Sequence, residues 1–249
     1  MASVEEDEDI EVVVVDNWSA EPVDSAQVGA RVIRLEDERG GPASARTAGL
    51  DATTAPYVFP LDADDLLLPG ALGRMADLLD ATPEAAFAWG DYELFGDYEG
   101  RYRGPARWLP WSLLYVNQYP VCSMFRREAL VAAGGWREGG YEDWSLWLAL
   151  AGLGLRGIAS KRVVYRRRMH GPNRALAGQR ARHSELYEML HERHAALFAR
   201  REELLHAEDP PVWKRIAYPI VFGKRAVLPF RFEAWLQRTA MKRGLSLGP

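Results

Sequence analysis

Cysteine is the scarcest feature of this 249-residue chain, which has one, Cys122. That excludes an internal disulfide and a cysteine-only metal cluster, and its apolar neighbours Val121 and Met124 mark it as a small buried residue without assigned chemistry. No apolar run approaches the ~18 residues a membrane span needs. The basic region of a secretory signal is also missing, because Glu5 to Asp9 is an acidic run, so a reducing, cytoplasmic setting is expected. Internal repeats and low-complexity tracts are absent. With a net charge of −4 the average offers no basic surface, and nucleic acid is not an expected partner.

What is present is an ordinary globular composition, 48% hydrophobic, enough for a core of one domain plus an extension. The most informative stretch is Tyr57 to Pro69, YVFPLDADDLLLP. An apolar run that reads as a buried strand over Tyr57 to Leu61 ends in Asp62, Asp64 and Asp65, and Pro69 then opens an amphipathic helix from Ala71 to Leu79. Ionised carboxylates cost several kcal/mol each to bury unpaired, so three at a strand exit point to a cation shared with an anionic substrate. Hard oxygen ligands favour Mg2+ or Mn2+. The competing use of Asp64 or Asp65 is as the cap of the following helix.

Taken in order, Ile10 to Val15 is a β-branched run suited to a doubly buried strand, ending at the polar loop Asp16-Asn17-Trp18-Ser19. Arg31 to Leu35 reads as a second strand, and Gly40-Gly41 leads into a helix ending near Leu50. Within that helix Arg46 stands beside a backbone able to approach a phosphate closely, a plausible anion site. Ala85 to Tyr92 and Val121 to Phe125 are further strands, and Arg127 to Ala133 a helix closed by Gly134-Gly135. Between them, Gly96 to Tyr119 reads as a long irregular connection rich in aromatic residues, more often used for packing than for stacking on a sugar. Glu142 and Asp143 fall in the first turn of a strongly apolar helix. Gly152 to Gly157 matches a dinucleotide fingerprint in letters only, because it follows a helix and leads into a strand. That strand, Gly157 to Tyr165, ends in Arg166-Arg167-Arg168-Met169-His170. One long helix is expected from Gly178 to Leu205, with Leu186, Leu190 and Leu197 on one face. After Pro210 the tail interleaves aromatic and basic residues, as an interfacial membrane contact would, although packing on the domain's own surface explains it equally well.

Four stretches, VVVVDNWS, GGPASARTAGLDATTAPYVFPLDADDLLLP, GGWREGGYEDWSLWL and VVYRRRMHG, together resemble family 2 glycosyltransferases of the GT-A fold. The resemblance runs from Ile10 to about Asn173. It implies an α/β, Rossmann-like domain over residues 10–175 with a mostly parallel central sheet and flanking helices. An acidic, disordered leader at 1–9 and a helical, basic, aromatic extension at 176–249 complete the expected organisation. Because the match starts at the strand IEVVVV, it also implies a sheet without the family's first strand-helix unit.

The implied activity is metal-dependent, inverting transfer of a sugar from a nucleotide diphosphate sugar to a glycan or lipid-linked acceptor, in polysaccharide or cell-envelope synthesis at the inner face of the membrane. By the same resemblance Asp62-Ala63-Asp64 is the DxD motif. There Asp64 would bind the Mg2+ or Mn2+ ion and Asp62 the ribose side, with His170 completing the metal site. Asp16 would contact the base of the nucleotide and Arg46 would lie near it, followed here by Thr47 instead of asparagine. Asp143, next to Glu142, would be the catalytic base. The alternative is a catalytically impaired domain of the same fold that binds a nucleotide or a partner. A phosphatase built on Asp62 and Asp64 lacks the downstream hydroxyl and lysine pattern it would need.

Overall fold

The computed structural model describes residues 9–36, 41–97, 99–170 and 182–223. The acidic leader before Asp9, the start expected for the long helix at Gly178, and the tail from Lys224 lie outside the described residues.

The chain opens with β1 (Val13–Asp16), α1 (Ser25–Val28) and β2 (Arg31–Arg34). Asp24 caps α1 by accepting from the Ala26 N–H at 2.9 Å, and Gly29 ends it in the left-handed conformation. β1 and β2 pair in parallel, Val13 against Arg31 through Asp16 against Arg34, and form a sheet of their own. α2 (Gly41–Asp51) follows, packed on β1 where Gly49 approaches Val15.

The second sheet has six strands: β3 (Tyr57–Val58), β4 (Leu66–Leu67), β5 (Ala85–Gly96), β6 (Gly100–Tyr102), β7 (Met124–Arg126) and β8 (Arg156–Met169). Its order is β3-β7-β5-β8-β4, with β6 as a hairpin on β5. Of its pairings only β5 with β8 is parallel. The α/β class stands, but the mostly parallel sheet does not. Short strands returning from β5 and β8 pair antiparallel, and the parallel β1-β2 pair stands apart.

Three local expectations change for physical reasons. The strand at Tyr57 is two residues long, and the four residues Asp62–Asp65 form a turn closed by Asp65 N–H to Asp62 O at 3.0 Å, with β4 directly after it. Helix α3 (Ala71–Asp80) therefore begins after Gly70, in the left-handed conformation, and no aspartate caps it. The connection Gly96 to Tyr119 contains β6 and the short helix α4 (Pro110–Leu113), and its described aromatics are largely core: Trp111, Tyr115 and Tyr119 are buried, and Tyr102 stacks on Tyr92 at 4.6 Å. Finally, the long C-terminal helix is broken into α7 (His183–Arg193), α8 (Ala195–Ala199) and α9 (Arg201–Glu208), with non-helical breaks at His194 and Arg200. The first break brings the His194 ring to 3.0 Å from Ser145 Oγ.

α5 (Arg127–Ala132) and α6 (Glu142–Gly152) lie between β7 and β8. The apolar α6 is the hub of the larger core: Trp147, Leu148 and Leu150 are fully buried with Phe87, Phe125, Leu113 and Leu114. Complete burial of a residue such as Phe87 or Leu150 contributes about 1.5–3 kcal/mol. Leu186 and Leu190 are buried on α7 and Leu197 on α8, so the single face expected of one long helix is divided between two, and Leu190 and Leu197 belong to the larger core. Buried Glu208, at the end of α9, accepts from the N–H and hydroxyl of Ser112, so it supplies an N-terminal acceptor that α4 lacks. The last described elements are α10 (Val212–Ala217) and a π-helical turn (Tyr218–Gly223).

Candidate functional site

Arg46 joins the two acidic stretches. Its guanidinium donates to Asp62 Oδ1 at 2.9 Å and to Glu142 Oε1 at 3.0 Å, although these residues lie far apart in sequence. The helix carrying it is held in place by Ser44 Oγ donating to Glu138 at 2.9 Å and Thr47 Oγ1 donating to Trp136 O at 3.2 Å, both in the loop before α6. Burial works against the charge of Arg46, but Asp62 and Glu142, with Asp143 beyond them, outweigh it and raise its pKa.

Asp143 is half-buried beside this pair. Burial and the charge of Glu142 push its carboxyl up to about 6, against the pull of the Trp144 N–H, Arg46 and Asn117. Asn117 Nδ2 donates to Asp143 Oδ2 at 2.9 Å, and the Trp144 N–H to Oδ1 at 2.8 Å. A carboxylate oriented in this way and poised near neutrality can take a proton. The residue before the pair, Tyr141, has a φ of 51°, uncommon for a non-glycine residue, and its hydroxyl meets His183 Nδ1 at 2.7 Å. Backbone strain and a tertiary hydrogen bond thus meet at the entry to Glu142.

Asp64 and His170 form the other side, with 2.8 Å between Asp64 Oδ2 and His170 Nε2, both exposed. Asp65 differs from its neighbours. It is 7% exposed, accepts from the Arg168 N–H at 2.9 Å, and burial, with Asp62 and Asp64 nearby, pushes it up to about 6. The arginines before His170 belong to the end of β8, where Arg166 and Arg168 lie over the Phe95 ring at 4.8 and 4.4 Å.

Asp16 lies apart from these groups. It is 2% exposed, accepts from the Ser19 and Val23 N–H groups at 2.8 and 3.2 Å, and pairs with Arg34. The Ser19 amide first, with Val23 and Arg34 adding, holds its carboxyl down at about 2. Trp18 is half exposed and stacks on Arg34 at 5.2 Å. Asn17 Nδ2 ties this loop to Gly41 O at 3.2 Å, at the start of the helix bearing Arg46, while its buried Oδ1 has no donor.

Among the described residues no three His, Cys, Asp or Glu side chains converge as a ready-made metal cluster. Asp64 with His170, and Asp62 two residues before Asp64, still suit a Mg2+ or Mn2+ ion, which takes one or two carboxylates and completes its shell with water and substrate phosphate. Asn117 and Arg34 are not singled out by the sequence, whereas Asp65 is. Asp65 alone carried a signal, as a third acid in the cluster; Asn117 and Arg34 are recognisable only through contacts made across the fold.

Solved structures with the same fold include the S. aureus protein TarS, residues 1–349. In complex with UDP it aligns over 91% of this chain and 69% of its own at a TM-score of 0.55 and 14% identity. With UDP-GlcNAc the alignment covers 67% of this chain and 52% of that one, at a TM-score of 0.53 and 16% identity. Two succinoglycan biosynthesis proteins of Rhizobium meliloti (strain 1021) are similar in sequence. ExoU is 37% identical over 83 residues, 30% of this chain and 23% of its own, and ExoO is 40% identical over 79, 29% and 22%. The chain thus matches less than a quarter of the length of these relatives. The family described as Glycosyl transferase family 2 matches residues 2–132, just over half of the chain. This protein belongs to glycosyl transferase family 2.

Proposed function

We propose that this chain transfers a sugar from a nucleoside diphosphate donor to a hydroxyl of a glycan or lipid-linked acceptor, with inversion at the anomeric carbon. The observation that carries this reading is Asp143, raised to about 6 and oriented by Asn117 beside the Arg46 bridge. Asp143 takes the proton of the acceptor hydroxyl as its oxygen bonds to the anomeric carbon. The bond from that carbon to the diphosphate oxygen breaks, and the electron pair leaves with the diphosphate. Arg46 stands where its positive charge can favour the anionic leaving group. Asp64, His170 and Asp62 would hold a Mg2+ or Mn2+ ion, whose chemistry is to neutralise diphosphate charge. With one base and no covalent intermediate, the reaction is a single displacement.

The donor reading draws on the family and on TarS, whose structures hold UDP and UDP-GlcNAc. The unpartnered Oδ1 of Asn17 adds an acceptor for a base N–H near α2. The test is calorimetric titration with a panel of nucleoside diphosphates, in Mn2+ and again in chelator, followed by transfer assays with the matching donor sugars. Metal-dependent binding of one nucleotide with turnover supports the reading; binding without turnover in wild type supports the impaired domain. That second reading has one observation in its favour, the saturation of Asp16 by its own loop and Arg34.

A membrane contact also belongs to this proposal. No described helix is long and apolar enough to cross a membrane. Val212, Trp213, Ile216 and Ile220 are all more than half exposed, with Lys214 Nζ over the Trp213 ring at 5.7 Å. Apolar side chains flanked by cations suit the headgroup region of anionic lipid, at the inner face where a lipid-linked acceptor would be met. Trp213→Glu with Ile216→Glu should abolish co-sedimentation with anionic vesicles, and unchanged co-sedimentation would refute the contact.

A further inference from the structure

A second site stands apart from the carboxylate cluster, on the β5-β6-β8 part of the sheet. It is a half-open cavity of about 310 Å³ lined by Trp89, Asp91, Arg101, Arg103, Gly104 and Lys161 among others, none of them a residue of the Arg46, Asp62 and Asp143 group. Its walls are braced: Trp89 Nε1 donates to Pro105 O at 2.9 Å, and Gly104 lies so close to the Trp89 ring that a Cβ there would come within 2.9 Å.

The charge in the cavity is unbalanced. Asp91, buried, is satisfied by Arg101 at 2.9 Å and by the Gly104 N–H at 3.2 Å. Among the described residues Arg103 and Lys161 have no carboxylate partner, so two cations remain at the rim. The backbone points the same way. Between the β5 residues Trp89 and Asp91 the partner strand runs from Ala159 to Val163, so β8 bulges over Ser160, Lys161 and Arg162. Lys161 takes the left-handed conformation there, φ 55°, where glycine or asparagine would sit without strain. A lysine held in that conformation, lining the same cavity as an arginine with no carboxylate partner among the described residues, matches phosphoryl oxygens by a point charge and a planar fork together.

We propose that this cavity binds a phosphoryl group of the acceptor, borne by a sugar phosphate or by a lipid phosphate. That the phosphoryl group belongs to an acceptor rests on the transferase reading; its binding in this cavity does not. Trp89 packs on Tyr119 at 5.0 Å, and Asn117, which orients Asp143, is two residues from Tyr119. The cavity wall and the segment that carries Asn117 thus meet in one buried aromatic layer.

The test uses the full chain, without donor or metal, titrated calorimetrically at low salt with inorganic phosphate, glycerol 3-phosphate and a short isoprenyl monophosphate. Wild type should bind phosphate, and Arg103→Ala with Lys161→Gly should weaken it at least tenfold, with no loss of melting temperature because glycine suits φ 55°. Tighter binding of one organic phosphate supports the site and names the source. Absence of phosphate binding in wild type, or equal binding by the folded double variant, overturns the proposal. Transfer that persists in that case leaves the reading of Asp143 intact, so the two failures are distinguishable.

Discussion

Two acidic clusters, Asp62 to Asp65 and Glu142-Asp143, are built on one plan and differ in what they leave open. Each gives one carboxylate to Arg46, and each holds a neighbouring carboxyl raised to about 6. In the first cluster the raised group is Asp65, covered by the sheet and tied to the backbone of Arg168. In the second it is Asp143, half-buried and held by a side chain, Asn117. The lesson is that a raised pKa alone does not mark a base. Asp65 is a structural anchor within its turn, and Asp143 is the group whose access and orientation suit proton transfer.

The strongest way to break this comparison is Asp143→Asn. It should lower transfer by about 10³ to 10⁴-fold while calorimetric donor binding is retained, and an active variant would make the two raised carboxyls equivalent. Next comes Arg46→Ala, which strips both clusters of their shared cation. Because Glu142 is mostly buried but Asp62 is 41% exposed in its side chain, the loss should be about 2–3 kcal/mol in urea unfolding, below the cost of breaking a fully buried pair.

A finer probe is Asn117→Ala. The limb of kcat/KM that rises with pH as Asp143 loses its proton should lie near 6 in wild type. Removing a donor that favours the charged form should move it alkaline by about one pH unit, a shift an unconnected asparagine would not produce. The smallest effect is expected from Asp65→Asn in chelator. Asp65 has a folded pKa above its unfolded value of 3.8, so ionising it costs the folded state more, and wild-type stability should fall as pH rises from about 4 to about 6. The asparagine variant, which can still accept from Arg168 N–H, should lack that part of the fall, a difference on the order of 1–2 kcal/mol by pH 7.

Much of this was legible along the chain. The β-branched run before Asp16, the acids after Tyr57, and Glu142-Asp143 ahead of an apolar helix are local patterns, and local patterns survive folding. The capping role considered for Asp64 and Asp65 was not borne out, because β4 intervenes and a left-handed Gly70 starts α3. The single long helix failed because propensity does not register the bond between His194 and Ser145. The mostly parallel sheet that the resemblance implies does not hold in the larger sheet, and the hydrophobic runs could not have corrected it, since they report burial and not the orientation of the partner.

By itself the sequence determined the family, the longer strands and helices up to α6 but not α1, β4, β6 or α4, and which acids could do chemistry, because these depend on residue types a few positions apart. Only the tertiary structure decided which acids share Arg46, which one Asn117 orients, and which cations without a carboxylate partner among the described residues line the cavity with Trp89. Those outcomes depend on through-space distances between segments up to 96 residues apart, where a shift of an ångström or two decides whether a charge is paired, buried or free.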